Sequence, residues 1–207
     1  MVQLLLNYDL HRVLGLAIAS ARHRLFIATA DLKNVQLPLA SSAGRVSARS
    51  LLSLLEGLAR RGVQVRVLHS GIPSGPFLQE WKRCHATGTV GVSGVQIRRC
   101  TRVHAKAVII DGRRMYLGSA NLTGAGLGAK SPRRRNFEGG ILTDELSLID
   151  PMQEMLETIW SGQQCVGCGR KEHCPLPLEE APSFERGQVG RGASRAVAQV
   201  RRAVPAE

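Results

Sequence analysis

The stretch HAKAVIIDGRRMYLGSAN, residues 104 to 121, constrains this chain more than any other. It places an apolar run, Ala107 to Ile110, between two basic side chains and a polar turn. Alternate residues of a strand share a face, so His104 and Lys106 are expected to project together while the apolar run anchors the strand in a core. Asp111-Gly112 suits a hairpin turn, returning the chain through RMYLG so that Ser119 and Asn121 reach the end where His104 and Lys106 begin. Gly118 permits close backbone approach at that end. An imidazole and an ammonium aimed at one point suit a phosphate: the neutral ring nitrogen attacks phosphorus and the lysine offsets charge on the non-bridging oxygens. Taken singly, a histidine at a strand start is usually structural and a lysine usually solvated, and Asp-Gly is often a simple turn former.

The surrounding sequence alternates helical and strand patterns, as layered α/β domains do. Leu10, Val13, Leu14, Ala17, Ile18 and Ala21 recur at helical spacing before the apolar strand RLFIATADL. Ser50 caps LLSLLEGLARR, a helix expected to stop at Gly62, and GVQVRVL follows with alternating Val63, Val65 and Val67. FLQEWKRCHA suits a short helix; GVQIRR, AKAVII, RMYLG and GGILT suit strands. Residues 33 to 49, rich in Pro, Ser, Gly and Ala, are expected to form a loop. Asp150 is expected to cap a last helix, with Pro151 at its first position, Gln153 completing the cap, and Met152, Met155, Leu156, Ile159 and Trp160 as its apolar stripe.

The chain has 207 residues, room for one domain of ordinary size with appendages. These divide into a catalytic α/β domain over residues 1–161, a Cys-rich extension over 162–180, and a basic, low-complexity tail over 181–207 that is expected to be mobile. The formal charge of +12 is carried largely by arginine, whose planar fork suits phosphate and a polyanionic partner, while on charge alone a soluble Arg-rich surface with no specific ligand is an equal reading. No apolar run is long enough to span a membrane, and MVQLLLNYD lacks a basic n-region and a cleavage site, so a cytoplasmic protein is expected.

Three of the five cysteines form C-x2-C-x5-C, from Cys165, Cys168 and Cys174, with His173 alongside. An odd count and close spacing suit a structural metal site in a reducing compartment better than a disulfide framework. Zinc is the first expectation and an iron–sulfur cluster the alternative. The fourth ligand is His173 or, if that residue is badly placed beside Cys174, one of Cys84, Cys100 and His85.

His104, Lys106, Asp111, Gly118, Ser119 and Asn121 together have the form H-x-K-x4-D-x6-G-S-x2-N, which resembles the HKD signature of the phospholipase D superfamily at every fixed position. Such a coincidence would arise by chance on the order of one time in a million. Asn136-Phe137-Glu138, just before GGILT, extends the likeness. The resemblance implies an α/β/α sandwich with a mixed central sheet, here with a small Cys-rich C-terminal extension. It also implies a two-step reaction through a phosphohistidine on His104, with Lys106, Asp111, Ser119 and Asn121 in the site and Glu138 orienting His104. A second, protonated histidine is required, and His11, His23, His69, His85 and His173 lack the surrounding motif. Two copies are therefore expected to pair about a two-fold axis, with no cofactor for catalysis and no divalent metal.

Superfamily members act on nucleic acids and on phospholipids, so the motif leaves the substrate open. Single-motif members resemble a dimeric nonspecific endonuclease group. The basic stretch with Lys130, Arg133, Arg134 and Arg135, between Asn121 and Glu138, suits phosphates of a DNA or RNA strand. A cardiolipin-type lipid hydrolase is the second expectation. A third is a nucleic-acid-binding subunit with little turnover, since the cysteine-bearing extension also resembles, more distantly, the phospholipase D-like component of DISARM-type antiphage defence complexes.

Overall fold

The computed structural model describes residues 1–40, 46–85, 94–170, 174 and 178. His173 and the tail over 181–207 lie outside the described residues, as does the side chain of His85.

The chain opens with β1 (Val2–Leu6), α1 (Tyr8–Ala19) and β2 (Arg24–Thr29), then the strands β3 (Gln36–Ala40) and β4 (Val46–Ser50). It continues through α2 (Leu51–Arg60), β5 (Gln64–His69), α3 (Gly75–His85) and β6 (Gln96–Arg99). The motif lies on β7 (Ala107–Ile110) and β8 (Arg114–Gly118), followed by β9 (Gly139–Thr143) and α4 (Leu146–Trp160). Seven strands form one mixed sheet in the order β1-β9-β8-β7-β2-β5-β6. β2, β5 and β6 run parallel, and β2 meets β7 antiparallel, with Ile27 opposite Val108.

Strand alternation gives this sheet two buried faces. Leu25, Ile27, Val65, Val67, Val108 and Ile110 point into a core shared with Leu10, Leu14 and Ile18 of α1 and with Leu51, Leu55 and Leu58 of α2. Phe26, Leu68, Ile109 and Met115 point the other way, onto Ile149, Leu156 and Trp160 of α4. The result is the α/β/α sandwich expected, with β7 near its centre.

Several local expectations hold for their stated reasons. Ser50 caps α2, its hydroxyl accepting from Ser53 N at 3.1 Å, and Gly62 ends the helix at φ 87°. Asp111 and Gly112 both take positive φ, 53° and 65°, as a type I′ hairpin turn requires.

Three expectations are corrected. Residues 33 to 49 are not a plain loop: β3 and β4 pair antiparallel, from Gln36 opposite Ser50 to Ala40 opposite Val46, and the hairpin lies against α1, where His11 Nε2 is 2.5 Å from Gln36 O. Pro38 and the small residues disguised it, yet a two-stranded ribbon tolerates proline because its outer edges need no partner. The last helix begins at Leu146 rather than at an Asp150 cap, so Pro151 sits inside it. Ile149 is fully buried under the sheet, and its packing carries the helix past a proline that local propensity would place at the start. Finally, His104 and Lys106 precede β7 instead of lying on it; they occupy an extended segment that crosses to the strand from the end of β6.

Candidate active site

One edge of the sheet gathers the motif. The C-terminal ends of β2, β5, β6 and β8 lie there with the N-terminal ends of β7 and β9, because antiparallel pairing puts Ala28 opposite Ala107 and Gly118 opposite Gly140. Lys106, just before β7, is 8% exposed, whereas the neighbouring His104 is open to solvent. The Lys106 ammonium donates to His104 O at 2.7 Å and lies 3.0 Å from both His104 ring nitrogens. A neutral imidazole has one nitrogen lone pair, lying in the ring plane, so an atom equidistant from both nitrogens lies across the ring instead of along that lone pair. Burial pushes the Lys106 pKa down, and the Glu138 charge partly restores it.

Asn121 is held by β2. Its Oδ1 accepts from Ala30 N at 3.0 Å, Asp31 N at 3.1 Å and the Thr29 hydroxyl at 3.2 Å. Backbone N–H groups can only donate, so the amide orientation is fixed and its nitrogen presents two donors on the opposite side. Thr29 also accepts from Leu122 N at 3.2 Å, locking the segment after β8 to the end of β2. Nothing in the sequence distinguishes Thr29 as a support except its place at the end of an apolar strand.

Ser119 and Glu138 form the other flank. The Ser119 hydroxyl donates to Glu138, and Asn136 Nδ2 donates to the second Glu138 oxygen at 3.0 Å. Asn7 braces the same segment: its Oδ1 accepts from Glu138 N at 3.0 Å, and its N–H donates to Glu138 O at 3.0 Å. Glu138 is thus engaged by Ser119 and Asn136, not by His104 as the resemblance implied, although its charge reaches Lys106.

Beneath this flank lies Tyr116, 1% exposed, with burial pushing its phenol up to about 12 against a nearby Ala120 backbone contact that lowers it. A Cβ on Gly118 would collide with the Tyr116 hydroxyl, and one on Gly140 would stand 2.6 Å from the Tyr116 ring. The facing glycines therefore make room for an aromatic ring, a reason that spacing within the motif does not reveal.

Asp111 is not at this edge. It lies beyond the far end of β7, about 20 Å along an extended chain from His104. Its carboxylate accepts from the backbone N–H groups of Arg22 (3.1 Å), His23 (2.7 Å) and Arg24 (2.9 Å). Burial alone would raise the Asp111 carboxyl, but these three donors outweigh it and hold the pKa below the ordinary value. The turn-forming reading is the one the geometry favours: Asp111 fastens the hairpin to the start of β2.

His69, at the end of β5, is buried at the same edge as the motif. Its Nδ1 lies 2.8 Å from Gly71 O and so carries the proton; burial, with Arg99 nearby, lowers its pKa to about 4 despite that bond. It is a neutral ring at neutral pH.

The basic stretch follows directly. Lys130, Arg133 and Arg134 are exposed on an ordered loop that leaves Asn121 and returns to Glu138, closed by Asn136 N donating to Ala125 O at 3.0 Å and Arg134 N to Ser131 O at 2.8 Å. Arg135 is half-buried in the same turn.

A family model described as "Cardiolipin synthase, PLD-like domain" matches residues 16–160, most of the chain and all of the edge from Thr29 to Glu138. The chain belongs to the phospholipase D-like family. Solved structures agree on the fold. Nuc from Salmonella typhimurium, a phospholipase D family member, superposes with TM-score 0.56 at 17% identity over 88% of this chain and 99% of its own. NucT from Helicobacter pylori gives 0.53 at 16% identity over 76% and 94%. TrmBL2, an archaeal chromatin protein, gives 0.50 at 12% identity over 77% and 52%. Among curated proteins, no sequence matches significantly. Membership of this phospholipase D-like family supports phosphodiester chemistry as the general activity.

Proposed function

We propose that this phospholipase D-like protein hydrolyses phosphodiester bonds of nucleic acid without a metal, in a site completed by a second copy of the chain. The carrying observation is the Lys106 ammonium resting on His104, at the same edge as an Asn121 amide whose oxygen is fully engaged by Thr29 at the end of β2 and by the next two residues. Lys106 and the Asn121 Nδ2 donors bind the non-bridging oxygens, and His104 attacks phosphorus, forming a P–N bond as the P–O bond to the leaving group breaks. The leaving oxygen takes a proton from an imidazolium, and the resulting neutral imidazole then removes a proton from the water that cleaves the P–N bond. Ser119 and Glu138 brace the flank of this pocket.

The imidazolium must come from a ring that is charged near neutral pH. His69 is at this edge but is buried and neutral, with its pKa lowered to about 4, which supports assigning the acid to the second copy's His104. An apolar rim supports the pairing: Val2, Leu4 and Leu6 of the edge strand β1 are exposed, and Phe137, beside Glu138, is 94% exposed. The exposed Lys130, Arg133 and Arg134 flank the pocket and favour a strand of phosphates over a single lipid headgroup.

The experiment is incubation with plasmid, single-stranded DNA, RNA and anionic vesicles in EDTA. Cleavage of nucleic acid that is lost in His104→Ala is expected. Phosphatidic acid release without nucleic acid cleavage would replace the substrate, salt-sensitive binding without turnover would replace the activity with that of a binding subunit, and full activity in a monomer would overturn the shared site.

A further inference from the structure

The C-terminal end of α4 is tied to β6. Arg98 donates to Trp160 O at 2.5 Å, and its guanidinium lies 4.7 Å from the centre of the Trp160 ring. Gly162 then takes φ 84°, ending the helix, and a 3-10 turn over Gln163–Cys165 leads into Cys165-Val166-Gly167-Cys168. Cys168 N donates to Cys165 O at 3.3 Å and Gly167 takes φ 68°, so a tight backbone turn brings these two residues close together. Cys100 arrives from the other side. It directly follows β6, is anchored by its own N–H to His69 O at 2.8 Å, and packs against the cluster that contains Trp160. Arg102 bridges the two segments, with Nη1 3.7 Å from Cys168 Sγ and 3.5 Å from Gln164 O. Cys165 lies within electrostatic reach of Cys100, Cys168 and Cys174 together, and all are free thiols. Cys84 is exposed on α3, separate from this group.

We propose that Cys100, Cys165, Cys168 and Cys174 bind one zinc ion, which clamps the C-terminal knuckle onto the segment that delivers His104. Four thiols from two chain segments satisfy the tetrahedral all-sulfur preference of structural zinc. Zinc with four thiolates carries a net charge of about −2, which Arg102 at the Cys168 sulfur helps to balance. Among the described residues, no three His, Cys, Asp or Glu side chains stand in coordination geometry, so the sulfurs must close on the ion as it binds. Cys100 is four residues before His104, and between them Val103 N donates to Cys100 O at 3.0 Å while Val103 is buried. Fixing Cys100 therefore fixes the turn that aims the imidazole. Only this positioning effect rests on the proposed role of His104; the ion itself does not.

The test is metal analysis of the full chain purified under reducing conditions, beside Cys100→Ser and Cys84→Ser. One zinc per chain is expected. Zinc affinity should fall more than about a hundredfold in Cys100→Ser, beyond the usual cost of losing an outer-sphere partner, and stay unchanged in Cys84→Ser. Cobalt(II) substitution should give thiolate charge-transfer bands that weaken in Cys100→Ser, which reports coordination even if that variant is partly unfolded. Amide exchange over residues 100–106 should quicken on chelation, a readout independent of any hydrolysis. No bound metal, zinc binding unchanged by Cys100→Ser, a disulfide among these cysteines, or a brown iron–sulfur chromophore would each overturn the proposal.

Discussion

The ammonium of Lys106 lies across the ring of His104, 3.0 Å from each nitrogen, and is tied at 2.7 Å to the carbonyl oxygen of the same residue. The proposed nucleophile and charge-neutralising group are thus fastened to one another. Lys106→Ala should leave the fold intact and reduce single-turnover cleavage by about 10²- to 10³-fold, the usual cost of removing one oxyanion donor. A loss no larger than that of an exposed lysine, such as Lys130→Ala, would remove Lys106 from the chemistry.

Glu138 supplies a pH prediction. Burial lowers the Lys106 pKa and the Glu138 charge raises it, so removing that charge leaves burial unopposed. In Glu138→Gln the lysine should lose its proton at lower pH, and the alkaline limb of the rate profile should move downward. Ser119→Ala, which keeps the carboxylate, should leave that limb nearly in place. Profiles measured from pH 6 to 11 separate the two.

Asp111 supplies a stability prediction. Its carboxyl pKa is depressed in the folded protein, so its contribution is complete above the ordinary value of 3.8 and is lost as pH falls through the folded value. Asp111→Asn should cost roughly 1.5–3 kcal/mol at pH 7, the range for a hydrogen bond to a charged group, and the difference from the parent should shrink in acid. Urea unfolding between pH 3 and 7 measures it. Catalysis by the folded fraction should be nearly unchanged, because Asp111 lies at the far end of β7 from His104.

Gly118→Ala should destabilise by about 1–3 kcal/mol through overpacking against Tyr116 and Gly139 O. Combining it with Tyr116→Phe, which removes the colliding hydroxyl, should recover part of that loss. A double-mutant cycle by chemical denaturation gives the coupling, and a coupling of zero would place the strain elsewhere.

The layered fold was legible in the sequence because it rests on short-range periodicity; His104 and Lys106 do meet, but in the segment before β7 and not through the strand alternation that the sequence suggested. Val63, Val65 and Val67 alternate, Leu51, Leu55 and Leu58 recur at helical spacing, and the motif carries its own turn. Long-range contacts were not legible. The three backbone donors that capture Asp111 come from residues about 90 positions earlier in the chain. The same is true of the donors that orient Asn121, and Asn7, which braces Glu138, comes 131 positions earlier. The proline inside α4 misled for a related reason: the burial of Ile149 that overrides it depends on a sheet formed by the rest of the chain.

Gly118 and Gly140 stand opposite each other with the Tyr116 ring filling the gap that their missing side chains leave. That end of the β8–β9 ladder is shaped by a vacancy two methyl groups wide. Swapping either glycine for any other residue adds bulk where only a flat ring fits, so this strip of the domain is a poor place to graft new specificity. Retargeting falls instead to Lys130, Arg133 and Arg134, the exposed side chains of the loop between Asn121 and Glu138.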